Sequence, residues 1–313
     1  MAGFEGMLCS AAAAVDVPLP GTATRVTGWL CVEQPGAWGR DVIGDEVLGR
    51  EITAELAART SAAKARPTLI RRPGRSEFTG TRTVLLASSG AQGSWCERFE
   101  ITDLKQLLEL DLRLLNGPPP GIGAPVHDPL ILVCAHGKRD QCCALFGRPI
   151  AANLAADYPD QVWECSHTGG HRFAPAMVLL PSGLTYGRVD TAAAIAAVEA
   201  ARRGTVSLAG LRGRSGHGPV EQVAEIAVRE QVSAGVGDLT VGLETDSAAT
   251  DPTLAGVAVV THRDGRRWRV TVHTVGLPPR QASCGAAPKP VTALVADRIQ
   301  SLTTGAVNSL VSG

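Results

Sequence analysis

The side chains able to do chemistry lie in two short runs of the sequence. One is Cys134-Ala-His-Gly-Lys-Arg-Asp-Gln-Cys-Cys143; the other is His167-Thr-Gly-Gly-His171. Two thiolates and two imidazoles make four good transition-metal ligands, and both tetrahedral zinc and a [2Fe–2S] cluster of Cys₂His₂ type accept that set. Eight residues separate Cys134 from Cys143, enough loop to bring both sulfurs to one point. His167 and His171 are four apart, yet the Gly169-Gly170 pair between them disfavours regular helix. A glycine-rich loop wrapped closely around an object fits better. The spacing is not that of a short C-x₂-C zinc knuckle, which weakens the zinc reading without removing it.

These residues need a scaffold. Residues 130–135 read as a strand with Cys134 at its exit, where loops commonly build sites. Arg148-Pro149 opens a helix to about residue 157, with Pro tolerated in the first turn. Residues 162–165 form a strand leading into the histidine run. A hairpin, 177–180 and 184–189, turns across Pro-Ser-Gly, and Asp190 caps an Ala-rich helix to Arg203. The same order occurs upstream: a buried strand at 25–32, a helical pattern over 44–64, a strand at 67–70 and a hairpin of 83–87 with 94–101. There, Thr102 or Asp103 caps a helix through Leu115. Val84-Leu85-Leu86 before Ser89-Gly90 lines up with Val178-Leu179-Leu180 before Ser182-Gly183. We infer two copies of a β-α-β-β-β-α unit, a pruned thioredoxin-like topology, against the competing reading of coincidence. Downstream, a helix at 220–232 precedes a hairpin of 255–262 and 267–275 around Asp264-Gly265, and a short helix spans 291–302. Residues 116–125 read as a linker and 202–219 as a looser connection. The division is then 1–120, an N-terminal α/β domain; 121–210, the metal-binding domain; and 211–313, an α+β segment.

Composition narrows the function. The chain has 313 residues, 44% hydrophobic and 19% charged, so packed cores are expected. Lys+Arg and Asp+Glu are 30 each, and this zero net charge argues against a nucleic-acid or anionic-membrane partner. Aromatic content of 4% argues against a base-stacking platform. No window approaches the roughly 18 apolar residues of a spanning helix. Glu5 stands where a signal peptide would be basic, so a cytoplasmic location is expected. Eight cysteines in such a chain are expected as thiols or metal ligands, not disulfides.

The run CAHGKRDQCCALFGRP, followed by VWECSHTGGHRFAPAMVLLPSGLTYGRV, resembles the sucrase/ferredoxin-like family. Gly36-Ala-Trp-Gly-Arg40 and Ser283-Cys-Gly285, with Lys289-Pro290, are similar patches outside it. The resemblance implies a thioredoxin-like ferredoxin domain, preceded by a degenerate thioredoxin-like domain and followed by a small α+β segment. It also implies a [2Fe–2S] cluster on Cys-x₈-Cys and His-x₃-His, a pattern that falls on Cys134, Cys143, His167 and His171. Cys142 is the alternative to Cys143, which reproduces the family spacing. No paired-carboxylate motif supports the glycoside chemistry in the family's name.

Other residues receive plainer readings. Cys165 is a core thiol, with a place beside His167 as the alternative; Cys9, Cys31, Cys96 and Cys284 are buried or structural; His136 is a solvated histidine, with a role supporting the ligand loop as the alternative. Lys138, Arg139 and Arg172 are solvated charges, with docking of an acidic partner as the functional alternative. The expected function is an electron carrier with an unknown redox partner protein, its potential dependent on pH through His167 and His171. A structural zinc protein on the same ligands is the alternative. Thiol exchange through Cys142-Cys143 ranks last, for want of C-x-x-C. Nucleotide or flavin binding has no motif support.

Overall fold

The computed structural model describes residue 4 and residues 6–74, 78–90, 93–244 and 251–302. A short helix, α1 (Cys9–Ala14), precedes strand β1 (Gly28–Glu33), helix α2 (Arg50–Ala62), strand β2 (Ala65–Arg71) and the hairpin β3 (Arg82–Gly90) and β4 (Gly93–Ile101). These last five elements lie close to their expected positions. The helix expected from Thr102 or Asp103 to Leu115 is instead two 3-10 turns, Leu104–Leu108 and Leu112–Asn116. Asp103 does cap the first turn, but the Asp111 carboxylate then captures the Arg113 N–H at 3.1 Å and starts a second. Short acidic side chains compete in this way with continuous helix.

The expected linker is pinned down. The buried Glu97 carboxylate accepts the N–H groups of Gly121, Ile122 and Gly123 at 2.7, 2.9 and 3.0 Å. This lays a two-residue edge strand, β5 (Ala124–Pro125), against β4. Strand β6 (Leu130–Cys134) follows, then helix α3 (Gln141–Asp157), strand β7 (Val162–Cys165), the hairpin β8 (Ala176–Leu180) and β9 (Leu184–Gly187), and helix α4 (Thr191–Arg202). Asp190 caps α4 as expected, accepting the Ala193 N–H at 2.8 Å. Helix α3 departs from expectation. Asp140 caps it through the Cys142 N–H at 2.9 Å, so Pro149 falls inside the helix instead of opening it. Its lost backbone bond is offset by burying Ile150, Ala151 and Leu154 against the sheet. The stretch read as a loose connection holds a further strand, β10 (Leu211–Arg214), paired to β9.

These strands form one ten-stranded mixed sheet in the order β10-β9-β8-β6-β7-β2-β1-β3-β4-β5. Each half repeats one pattern: β1 runs parallel to β2 and antiparallel to β3, and β6 runs parallel to β7 and antiparallel to β8. The halves meet where β2 and β7 pair antiparallel, with Ile70 opposite Cys165 and Arg71 opposite Glu164. The Arg71–Glu164 ion pair at 2.7 Å reinforces that seam. Among the described residues, no helix is long and apolar enough to cross a membrane.

Helix α5 (Pro219–Arg229) packs on a second, antiparallel sheet of β11 (Leu239–Leu243), β12 (Leu254–His262), β13 (Arg267–Gln281) and β14 (Pro288–Leu302). The helix expected at 291–302 is the strand β14. Its partner β13 is 15 residues long and pairs with it almost end to end, overriding local propensity. Glu225 of α5 reaches back to β10, 3.2 Å from Arg214 and 2.9 Å from Arg229. Burial alone would raise its carboxyl, but the Arg214 charge, the His217 ring nitrogen 3.1 Å away and Arg229 hold it well below the usual carboxylate range.

Two outcomes follow. A carboxylate depressed in the native state contributes its full stability above the unfolded value of about 4.3, and loses it as pH falls below. Glu225→Gln should cost about 3–5 kcal/mol by leaving buried arginines unpaired, and should flatten the acid limb of a urea-midpoint-versus-pH curve. An unchanged limb would contradict this role. Separately, Gly147 of α3 lies against β6, where a methyl group would run into the Cys134 carbonyl oxygen. Gly147→Ala should lower unfolding free energy by about 1–3 kcal/mol in chemical denaturation; wild-type stability would mean that α3 does not need this close approach.

Candidate metal centre

Cys134 ends β6 beside Cys165 of β7, both buried. Cys143 is in the first turn of α3, held there by the Asp140 cap. The loop leaving β7 is tied to β2 at once: the Ser166 N–H donates to the Leu69 carbonyl at 2.7 Å, and the Ser166 hydroxyl accepts the Leu69 N–H at 3.0 Å. His167 follows. Its Nδ1 lies 3.8 Å from Cys134 Sγ and 3.9 Å from Cys143 Sγ. The donor atoms of these three residues all lie within 4.8 Å of one another. His171, in a 3-10 turn (His171–Phe173), stands alongside with its ring centroid 5.0 Å from that of His167. Its Nε2 is 4.0 Å from Asp140 Oδ2, and its Nδ1 is buried with no hydrogen-bond partner among the described residues.

The glycine pair between the histidines is required by space. Gly169 and Gly170 have φ of +100° and +73°, a backbone region that glycine tolerates best. A methyl group at Gly169 would strike Thr24, and one at Gly170 would strike the Arg212 guanidinium and Phe173. Arg212, fully buried, donates to the Gly169 carbonyl at 3.1 Å and to the Thr22 carbonyl, bracing the loop from behind. It lies in the stretch that sequence reading treats as a loose connection, and nothing local marks it.

His136 corrects an expectation. It is 3% exposed, not solvated. Its Nδ1 accepts the His167 N–H at 3.1 Å, and its Nε2–H donates to the Gly39 carbonyl at 2.9 Å, so both partners specify one neutral tautomer. Arg66 adds a bond to the His167 carbonyl at 2.5 Å. The loop is thus positioned by main-chain contacts that leave the His167 ring free to face the sulfurs.

Charge is arranged to suit ligation. Despite burial, the neighbouring Cys143 sulfur, the His167 ring and the Thr168 N–H hold the Cys134 thiol well below its ordinary value. The neighbouring Cys134 and burial push the Cys143 thiol up. Burial and the neighbouring His167 hold the His171 ring down, against the pull of Asp140, which favours the neutral imidazole that binds metals. Among the cations read from sequence, Lys138 is exposed, Arg139 is 3.8 Å from Asp41, and Arg172 lies over the Phe173 ring.

Cys142 points elsewhere. Its sulfur is 3.3 Å from Cys284 Sγ and 3.7 Å from Cys9 Sγ, away from His167. Cys31, Cys96 and Cys165 are buried in the apolar core of the sheet, as expected. Both outlying sequence patches converge on this region. Gly39 holds His136, Trp38 packs edge-on to that ring at 5.8 Å, and Ser283 and Cys284 bond to Asp140 at 2.9 and 2.8 Å.

Soft sulfur donors, an imidazole aimed at them and an orphaned buried nitrogen on a second imidazole fit a bound metal centre. No curated protein and no solved structure matches the chain significantly. Residues 19–213, which include Cys134, Cys143, His167 and His171 and all of the ten-stranded sheet but its last residue, match the sucrase/ferredoxin-like family model, and the chain belongs to that family.

Proposed function

We propose that the protein is an electron carrier holding one [2Fe–2S] cluster on Cys134, Cys143, His167 and His171. The observation that carries this reading is the convergence of two sulfurs and the His167 Nδ1, with the unpartnered His171 Nδ1 beside them. The repeated strand order supports a thioredoxin-like ferredoxin unit: a parallel β-α-β pair followed by an antiparallel hairpin, with β6 and β7 feeding both ligand loops. Such a cluster, when bound, supplies a one-electron couple, and its two imidazoles raise the potential above that of all-thiolate plant-type ferredoxins.

The protein's own groups do the rest. Cys134 and Cys143, each 2% exposed, keep water from the sulfurs. Arg212 and Arg66 fix the loop and place positive charge near Cys134. His167 and His171 carry ring nitrogens that can take or release a proton as the charge beside them changes. Arg40, Arg66 and Arg139 line an open cleft next to His167 and His136, and this is where we place an acidic redox partner protein.

A structural zinc centre is the second reading, favoured by the closeness of Cys134, Cys143 and His167. His171, outside that compact group yet adjacent, favours a centre larger than one ion. Anaerobic purification with iron and acid-labile sulfide assay separates the two. Equal iron and sulfide, a coloured protein, and loss of both in Cys143→Ala and His171→Ala are expected; colourless protein with zinc would refute the carrier. The midpoint potential should fall as pH rises, and a flat profile between about pH 6 and 10 would refute the coupling to His167 and His171.

A further inference from the structure

The strongest group outside this centre is a second knot of sulfur. Cys9 from α1, Cys142 from α3 and Cys284 from the loop joining β13 to β14 meet on the Asp140 carboxylate. Sequence reading treats Cys9 and Cys284 as structural thiols, and nothing local ties together residues 275 positions apart. Their donor atoms and one Asp140 oxygen all lie within 4.8 Å of one another. Cys142 Sγ is 3.3 Å from Cys284 Sγ and 3.7 Å from Cys9 Sγ, and Cys9 Sγ is 3.7 Å from both Asp140 oxygens.

We propose that Cys9, Cys142, Cys284 and Asp140 form a second metal site, a closed tetrahedral one for a zinc-class divalent cation. Three lines support it. First, zinc–sulfur bonds of about 2.3 Å place tetrahedral ligand sulfurs about 3.8 Å apart, which the Cys9–Cys142 pair matches at 3.7 Å and the Cys142–Cys284 pair, at 3.3 Å, reaches by a small outward shift. Second, the carboxylate keeps room for a cation. Of its roughly four lone-pair sites, Oδ1 accepts the Cys142 N–H and faces the Cys9 thiol, whose proton a bound cation would displace, whereas Oδ2 also accepts the Ser283 hydroxyl and the Cys284 N–H. Third, an oxygen ligand among thiolates selects zinc over copper(I), which prefers sulfur alone.

The site joins three parts of the chain: the N-terminal helix, the start of α3 and the C-terminal hairpin, the first and last of which also meet through Ala13, Val17, Leu277 and Val291. A cation there fastens the flanking segments over the first centre. It also fixes Asp140, whose Oδ2 is 4.0 Å from His171 Nε2. Binding exchanges thiol protons for metal–sulfur bonds and releases those protons to solvent, with no change of oxidation state.

The proposal does not depend on the iron–sulfur reading, and the test keeps the two apart. The full chain is treated with chelator, then zinc chloride is added back, and alkylation by N-ethylmaleimide is mapped by mass spectrometry. Zinc should protect Cys9 and Cys284 together, and chelator should expose both. Cys9→Ser should lose one zinc equivalent and the protection of Cys284, while acid-labile sulfide, which reports only the Cys134 centre, stays unchanged. If that variant does not fold, the wild-type protection pattern decides alone. Unprotected Cys9 and Cys284, or a Cys142–Cys284 disulfide in protein purified under argon, would overturn the site.

Discussion

The close approach of α3 to the end of β6 governs the rest of the structure. Asp140 starts the helix by capping Cys142, and Gly147 lets it lie directly on the Cys134 carbonyl. With both constraints, the first turn of α3 faces the exit of β6. One helical step then separates the directions of Cys142 and Cys143, because adjacent helix residues project about 100° apart. Cys143 turns inward to Cys134 and His167, and Cys142 turns outward to Cys9 and Cys284. A helix beginning at Pro149 would have left both cysteines in a loop.

Asp140 is the group both clusters share. Burial would raise its carboxyl, yet the N–H groups of Cys284 and Cys142 and the Ser283 hydroxyl lower it to about 2. It therefore remains an anion across the physiological range, beside His171 on one side and three thiols on the other. The buried guanidinium of Arg212 balances the region from behind the glycine loop. Charges enclosed this way are held by geometry, since a buried ion without a partner is costly.

The two halves of the sheet contribute unequally. They repeat one strand order, but the Cys/His group lies in the second half alone. The first half acts as its support: β2 anchors Ser166, Arg66 holds the His167 carbonyl, and Gly39 orients His136. The seam between β2 and β7 brings these supports within reach, so the family-like patch at 36–40 sits beside the histidine loop despite its distance in sequence.

Much of this was legible in the sequence. Strand runs such as 130–134 and 162–165, the capped helix after Asp190, the hairpins and the ligand types all follow from local pattern and turn chemistry. The strand at 288–302 was not legible, because its conformation comes from a long partner strand and not from its own apolar spacing. Nor was the burial of His136, or the role of Arg212 in a glycine-rich stretch. The sequence by itself determined which donors exist and which local elements carry them. Only the tertiary structure decided which donors meet, since convergence of Cys9, Cys142 and Cys284 depends on packing across the whole chain, and no short-range periodicity encodes that.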